Sequence, residues 1–462
     1  MEMEHTIVEG IQRTSFEKLP GSVVEAAKKS LIDTLAVTIA GRKAEGCEIL
    51  FKLIKEWGGK KEATVLTYGK KVPYPNAVFV NAVMARALDL DEVHDMGTVH
   101  PSACILPATL GAVEFVNGIS GKEFITAIAI GIDLICRMSL APAVGSCISG
   151  MNFTYQCGTF GAAAASGKIL KLDHRQMINA LGVAYSQAAG NSQCYVDGAL
   201  TVRVQQGLSA KAGALSAVLA QRGITGAEEF FEGKFGYFNI YHGGKFDRGI
   251  LLKDYGSHFE GIHVSQKPLY SCCKFNHASI DAARALVQEY QVKPHQIDHI
   301  KAVVTSQEVY NFVCDPIEVK QNPRTLVDAQ FSLPYTVALA VLRERVSLDD
   351  FTQKAIKDED VLNMARKVEV ELKPEEGRAI LPAPGIIEIR TVDGKQFTKE
   401  VHFVKGHPRH PNSLEDCLEK MKACIEYRQC KKIMSRYPQI RELLLNLENL
   451  SDIRPVITLL NP

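Results

Sequence analysis

The chain has one tryptophan, and none of its twelve cysteines stands three residues from another, so no CxxC pair is present to hold zinc or run thiol–disulfide exchange. GxGxxG, GxxxxGK[ST], HExxH and the EF-hand loop are also missing, which removes the usual signs of dinucleotide, nucleoside-triphosphate, zinc-protease and calcium sites. No apolar run approaches the ~18 residues of a membrane span. The formal net charge is only +1, so there is no bulk field to attract nucleic acid or anionic lipid. The opening "MEMEHTIVEG" lacks the basic and apolar regions of a secretory signal, and scattered cysteines in a long chain read as reduced and buried. A cytoplasmic protein is expected, with neither membrane nor nucleic acid as partner.

What remains is an ordinary globular composition, 46% hydrophobic and 23% charged over 462 residues. That length suggests two to three domains at ~150 residues each. To about residue 260 the pattern is helical. "VVEAAKKSLIDTLAVTIAG" repeats apolar residues at helical spacing and closes on glycine; "NAVFVNAVMARALDLDEV" and "GKEFITAIAIGIDLICRMS" read as buried helices. "GTFGAAAASGKILKLD" and "GLSAKAGALSAVLAQRGITG" are small-residue helices suited to close packing. Between about 262 and 405, "IKAVVTS" and "KVEVELKP" alternate as strands do. "GIIEIRTVDGKQFTKEVHFVKG" predicts a hairpin with Asp393-Gly394 as a two-residue turn. Helical spacing returns after Pro411. The expectation is a mainly α protein: a large helical domain built from 1–262 and 406–462, and a smaller α+β lid domain over 263–405, with an active site in the cleft between them.

The densest chemistry lies in "ALDLDEVHDMGTVHPS", Ala87 to Ser102. Asp89, Asp91, His94 and Asp95 are metal-ligand types, and a helix through Ala87–Asp95 would put Asp91, His94 and Asp95 on one face. No known metal spacing accompanies them, so no metal is expected. His100 sits in a loop before Pro101, beside carboxylates that can tune it for proton transfer at neutral pH. Asp91, Glu92, His94 and Asp95 read as supporting or solvated. His407 and His410, in the proline-rich "KGHPRHPNS", read as solvated loop residues. In "SQKPLYSCCKFNHASIDAA", Lys267, Lys274 and His277 form a local carboxylate-binding spot around structural Cys272 and Cys273. Tyr335 in "FSLPYTVA" is either a proton donor or a core tyrosine.

Taken in order, "ALDLDEVHDMGTVHPS", "GTFGAAAASGKILKLD", "GLSAKAGALSAVLAQRGITG", "FFEGKFGYF", "QKPLYSCCKFNHASIDA" and "FSLPYTVALAVL" resemble the MmgE/PrpD family along essentially the whole chain. That family includes 2-methylcitrate dehydratase, cis-aconitate decarboxylase and iminodisuccinate epimerase. The resemblance implies a helical domain with an α+β lid, a homodimer, and no metal or organic cofactor. It also implies small di- or tricarboxylate substrates, with a proton moved at carbon next to a carboxylate. Asp89, His100, His277 and Tyr335 match its catalytic positions. Lys267 and Lys274 would hold substrate carboxylates, and Thr98 is the candidate for the threonine of the first motif.

Two positions depart from the family pattern. Asn152 stands in "GMNFTYQCG" where dehydratases and decarboxylases carry histidine, and Val202 in "TVRVQQG" where they carry lysine, with Arg203 beside it. Asparagine cannot exchange protons near neutral pH, and valine supplies no charge. Arg203 could replace the charge for binding but not act as a base. Asn152 and Arg203 therefore join the expected binding set. The expected function is a cofactor-independent lyase on a small di- or tricarboxylate. The alternatives are a dicarboxylate epimerase, which needs no leaving-group acid, and a ligand-binding relative without catalysis.

Overall fold

The structure is a computed structural model that describes residues 2–374 and 382–461; within the expected 263–405 range, 375–381 lie outside the described residues. Apolar side chains gather into two separate buried clusters. The larger draws on the N-terminal helices and on Cys417–Leu460, so both ends of the sequence build one body. The smaller spans Cys194 to Ile389 and is centred on the α+β segment.

In the helical body, the Phe153–Ile169 helix packs against Gly121–Leu140 and Thr201–Gln221. Small residues permit this: a Cβ on Gly213 would come 2.5 Å from the Thr159 carbonyl and 2.6 Å from Ala162 Cβ. The Gly21–Gly41 helix packs against the C-terminal Leu414–Arg428 helix. Lys420 on the latter is buried; its Nζ lies 2.6 Å from Asp33 Oδ1 and donates to the carbonyls of Leu90 (2.8 Å) and Lys267 (2.9 Å). A charge-assisted clamp from the chain's end thus holds two loops that meet at the cavity described below.

The smaller unit is a four-stranded sheet in the order Val368–Leu372, Ile297–Val304, Gly385–Thr391, Gln396–Val401; the first pair is parallel and the other two are antiparallel. The His277–Glu289 and Leu333–Arg343 helices cover it, and the strand Gly385–Thr391 alternates buried and less buried residues as a one-sided strand should.

Three sequence expectations change. The helix of the second segment runs Tyr74–Arg86 and stops there, so Ala87–Asp95 is turn and short strand, not a helical face. The hairpin loop has three residues, because Thr391 pairs with Lys395 through a 2.9 Å bond; Gly394, at φ 85°, supplies the left-handed third position. His407 is not solvated. It is buried, its ring stacks on Phe403, and its Nε2 lies 4.0 Å from Asp95 Oδ2. All twelve cysteines are free, ten of them buried, with Cys147 and Cys430 half-buried. Among the described residues no helix is long and apolar enough to cross a membrane.

Candidate active site

A short antiparallel ladder pairs Val93–His94 with Val264–Ser265 and joins the first motif to the segment carrying Lys267 and Lys274. Beside it lies a cavity. Its wall includes Arg86, Asp89, Asp95, Thr98, His100 and Asn152 from the helical body, and Lys274, Phe275, Phe312 and Phe331 from the α+β unit, so it sits in the cleft between the two cores.

His100 is the cap residue of the Pro101–Phe115 helix, and Pro101 at the first helical position fixes the direction in which the chain enters. Its backbone N–H donates to Thr154 Oγ1 at 3.2 Å, and its carbonyl accepts from Gln206 Nε2 at 3.3 Å. The ring nitrogen Nδ1 lies 2.9 Å from the Glu92 carbonyl and 3.2 Å from Asp91 Oδ2. Two acceptors on that side keep the proton on Nδ1, leaving Nε2 with its lone pair free. Burial and the Arg86 guanidinium hold the imidazole below its ordinary pKa against the opposing pull of Asp91. At neutral pH the ring is therefore an uncharged base.

Arg86, the last residue of its helix, is buried and holds both carboxylates: it pairs with Asp89 and lies 3.2 Å from Asp91. Burial pushes both acids up. Arg86 and Lys267 outweigh it at Asp89, and His100 and Arg86 outweigh it at Asp91, so both stay below the usual carboxylate range. The carboxylate beside His100 is thus Asp91 rather than Asp89. Glu92 is different: burial and nearby Asp33 raise it to about 7, with Ser30 and Ser102 hydrogen-bonded to its two oxygens. Asp95 accepts from the Ser265 hydroxyl, and His94 Nδ1 accepts from Gly97 N–H at 3.0 Å, tightening the loop that turns the chain toward His100. Asp89 and Thr98 take left-handed backbone angles, φ 49° and 51°, which for non-glycine residues cost energy that the surrounding contacts must offset. Asp91, Glu92, His94 and Asp95 are all buried; none is solvated.

Lys274 opens the short turn before the His277–Glu289 helix. Burial lowers its pKa while Asp95 opposes, and its Nζ is buried without a hydrogen-bond partner among the described residues. An unpaired buried ammonium on a cavity wall is a binding position for an anion. Lys267 is committed elsewhere: its Nζ bonds the Asp89 carbonyl at 2.9 Å and the Cys272 carbonyl at 3.3 Å, and lies 3.3 Å from Asp89 Oδ1.

His100, Asp89, Thr98, Asn152 and Lys274 therefore meet at one cavity, while Lys267, His277, Tyr335 and Arg203 do not reach its wall. His277 lies behind it: Nε2–H donates to the same Cys272 carbonyl, and burial with Lys274 and Lys267 drives its pKa well down. Tyr335 is in the smaller core, its hydroxyl donating to the Asp350 carbonyl at 3.0 Å. Arg203 is buried, with Nη1 on the Glu45 carbonyl at 3.2 Å; its neighbour Val202 belongs to the smaller core. Asn152 caps the Phe153–Ile169 helix, its Oδ1 accepting from Tyr155 N–H at 3.2 Å. Sequence reasoning missed Arg86 and Tyr195, which lines the cavity between Phe312 and Phe331. An arginine at the end of an apolar helix, three and five residues before two aspartates, was the available signal for Arg86.

Among the described residues, two sets of groups have metal-ligand geometry: Asp89, Asp91 and His100, and, outside the cavity wall, His258, Glu260 and His263. In the first, Arg86 already pairs with one oxygen of Asp89 and lies 3.2 Å from one of Asp91. In the second, Glu260 lies near three histidines that help lower it to about 2.

With this geometry in place, comparison with known proteins settles the class. The MmgE/PrpD N-terminal domain matches residues 5–248 and the MmgE/PrpD C-terminal domain matches residues 270–436. The chain belongs to the MmgE/PrpD family. It is similar to a cis-aconitate decarboxylase of Aspergillus terreus, 26% identical over 475 residues covering 96% of this chain and 93% of that protein. The human cis-aconitate decarboxylase is also 26% identical, over 96% of this chain and 91% of its own length. The mouse enzyme is 25% identical over 94% and 88%.

Proposed function

We propose that the chain is a lyase of the MmgE/PrpD kind, acting on a small acid of the di- or tricarboxylate class. The single observation that carries the reading is His100: a neutral imidazole with Nδ1–H fixed by Glu92 and Asp91, facing a cavity that also holds the unpaired Lys274 ammonium. Substrate carboxylate binds Lys274. His100 Nε2 takes the proton from the carbon next to that carboxylate, and the electron pair of the broken C–H bond spreads into the carboxylate. Lys274 stabilises the added charge where it develops. The pair then forms the double bond as the leaving group departs, and the His100 imidazolium returns its proton to that group. Asp91 and Arg86 are positioning residues: Asp91 favours the imidazolium, and Arg86 keeps Asp91 and Asp89 ionised and in place.

The proposed chemistry uses only side chains, with Arg86 paired to Asp89 and 3.2 Å from Asp91. The free thiols fit a reducing, cytoplasmic setting, and a homodimer is the family expectation. A second reading is supported by Asn152, which puts a group that cannot titrate on the cavity wall. With His100 as the proton carrier, return of the proton to the opposite face of that carbon, after the bound carbanion turns, would make the enzyme an epimerase. Incubating the protein with di- and tricarboxylates in D2O separates the two: elimination or CO2 release supports the lyase, and deuterium exchange without either supports the epimerase. Lys274→Met is expected to raise KM ~10–100-fold for whichever acid reacts, by removing a charged hydrogen-bond donor. An unchanged KM would remove Lys274 from the substrate site.

A further inference from the structure

The charged residues on the cavity wall are two cations, Arg86 and Lys274, and two anions, Asp89 and Asp95. The charged pair directly behind them, Asp91 and Lys267, also cancels. With His100 neutral, the site has no net positive charge. Of its cations, Arg86 is shared between two aspartates and Lys267 is bonded to carbonyls, so one ammonium, Lys274, is left for a ligand. A fully ionised tricarboxylate would exchange water for a neutral site with one unpaired cation, and the surplus charges would be desolvated without compensation.

The wall also carries aromatic rings. Tyr195 packs on Phe312 and Phe331 with ring centroids 5.0 and 4.9 Å apart, and Phe275 meets Phe312 at 6.1 Å. A second, wider cavity shares Tyr195 and Phe312 with this one and is also lined by Ile148, Val196, Pro316 and Val319. Ile148 and Val196 are 63% and 66% exposed there. Its cations are engaged too: Lys320 donates to the carbonyls of Phe312 and Phe331, and Arg324 lies 3.6 Å from Asp328.

We infer that the substrate is an acid with no more than two carboxylates and an apolar arm, one carboxylate on Lys274 and the arm against the Tyr195–Phe275–Phe312–Phe331 wall. This rests on the carboxylate-site reading above and narrows its substrate class.

The test is calorimetric titration of the intact chain with tricarballylate, methylsuccinate and benzylsuccinate at one ionic strength, in D2O with exchange followed by NMR. Benzylsuccinate is expected to bind at least about tenfold more tightly than either of the others. Phe312→Ala, at a half-buried position, is expected to weaken benzylsuccinate severalfold and leave methylsuccinate within twofold. Tricarballylate binding as tightly as benzylsuccinate, or Phe312→Ala weakening both dicarboxylates equally, overturns the inference. Failure of the proton-transfer reading is separate: the affinity order stands, yet no bound acid exchanges deuterium. If none of the three acids binds, both readings fall.

Discussion

At the scale of single residues, the structure divides the first motif into a base and its supports. His100 was legible from its loop position beside carboxylates, but the carboxylate that faces it was not. Asp89 and Asp91 differ by two positions in a turn, and only the backbone geometry decides that Asp91 lies 3.2 Å from Nδ1 while Asp89 pairs with Arg86 and Lys267. Asp91→Asn is therefore expected to lower kcat ~10²–10⁴-fold with the fold intact, because an amide can donate to Nδ1 and favour the wrong tautomer. Circular dichroism with steady-state rates checks this, and a loss under tenfold would dismiss Asp91. The pH profile follows from the same contacts. The base works unprotonated and its pKa is lowered, so the acid limb of kcat/KM should fall below pH 6.5. Lys274 binds protonated and its pKa is lowered, so affinity should weaken as pH rises, with the loss setting in before pH 10.5 is reached. An acid limb above 6.5 would be inconsistent with the environment of His100.

Elements set where those residues point. Tyr335 illustrates what the sequence could not reveal: its motif was readable, but the pitch of the Leu333–Arg343 helix turns the hydroxyl into the smaller core. His277 and Lys267 were likewise in matching segments and Arg203 beside a departing one, yet each turns a polar atom to a backbone carbonyl. Long helices were legible because small or apolar residues repeat at helical spacing. The stop at Arg86 was not, since the apolar, helix-compatible pattern continues past it and burial of the aspartates overrides it. Helix contact yields a stability prediction. Gly213→Val should cost ~1–3 kcal/mol, because its Cβ would meet the Thr159 carbonyl and Ala162. Asn152→Ala should cost ~1 kcal/mol through the lost cap. Denaturant unfolding would measure both; a neutral Gly213→Val would refute the close-packing account of the small-residue helices.

Across the whole molecule, the division into two cores and the use of both chain ends could be read from sequence texture. The clamp that ties them could not: Lys420 is one lysine among many until folding places it on Asp33, Leu90 and Lys267. The stability of the assembly should depend on pH through its buried acids and bases. Glu92 is raised from 4.5 to about 7, so the folded state keeps a proton the unfolded chain has lost. Its contribution is full below pH 4.5 and disappears as pH rises through 7. His277 is lowered, so its contribution has the opposite sign: present above pH 6.5 and lost as pH falls. Comparing Glu92→Gln with the parent chain in denaturant between pH 4.5 and 8 should show a flatter decline for the variant between pH 4.5 and about 7, with the slopes converging above that. An identical slope would contradict a protonated Glu92.

The central claim is that His100 moves a proton at the carbon next to a carboxylate held by Lys274. The most direct measurement is deuterium incorporation from D2O into a bound acid, by the parent chain and by His100→Ala, with affinity measured on the same samples. The account predicts exchange in the parent chain, none above background in His100→Ala, and affinities within a few-fold of each other. Exchange that persists in His100→Ala with normal binding would contradict it.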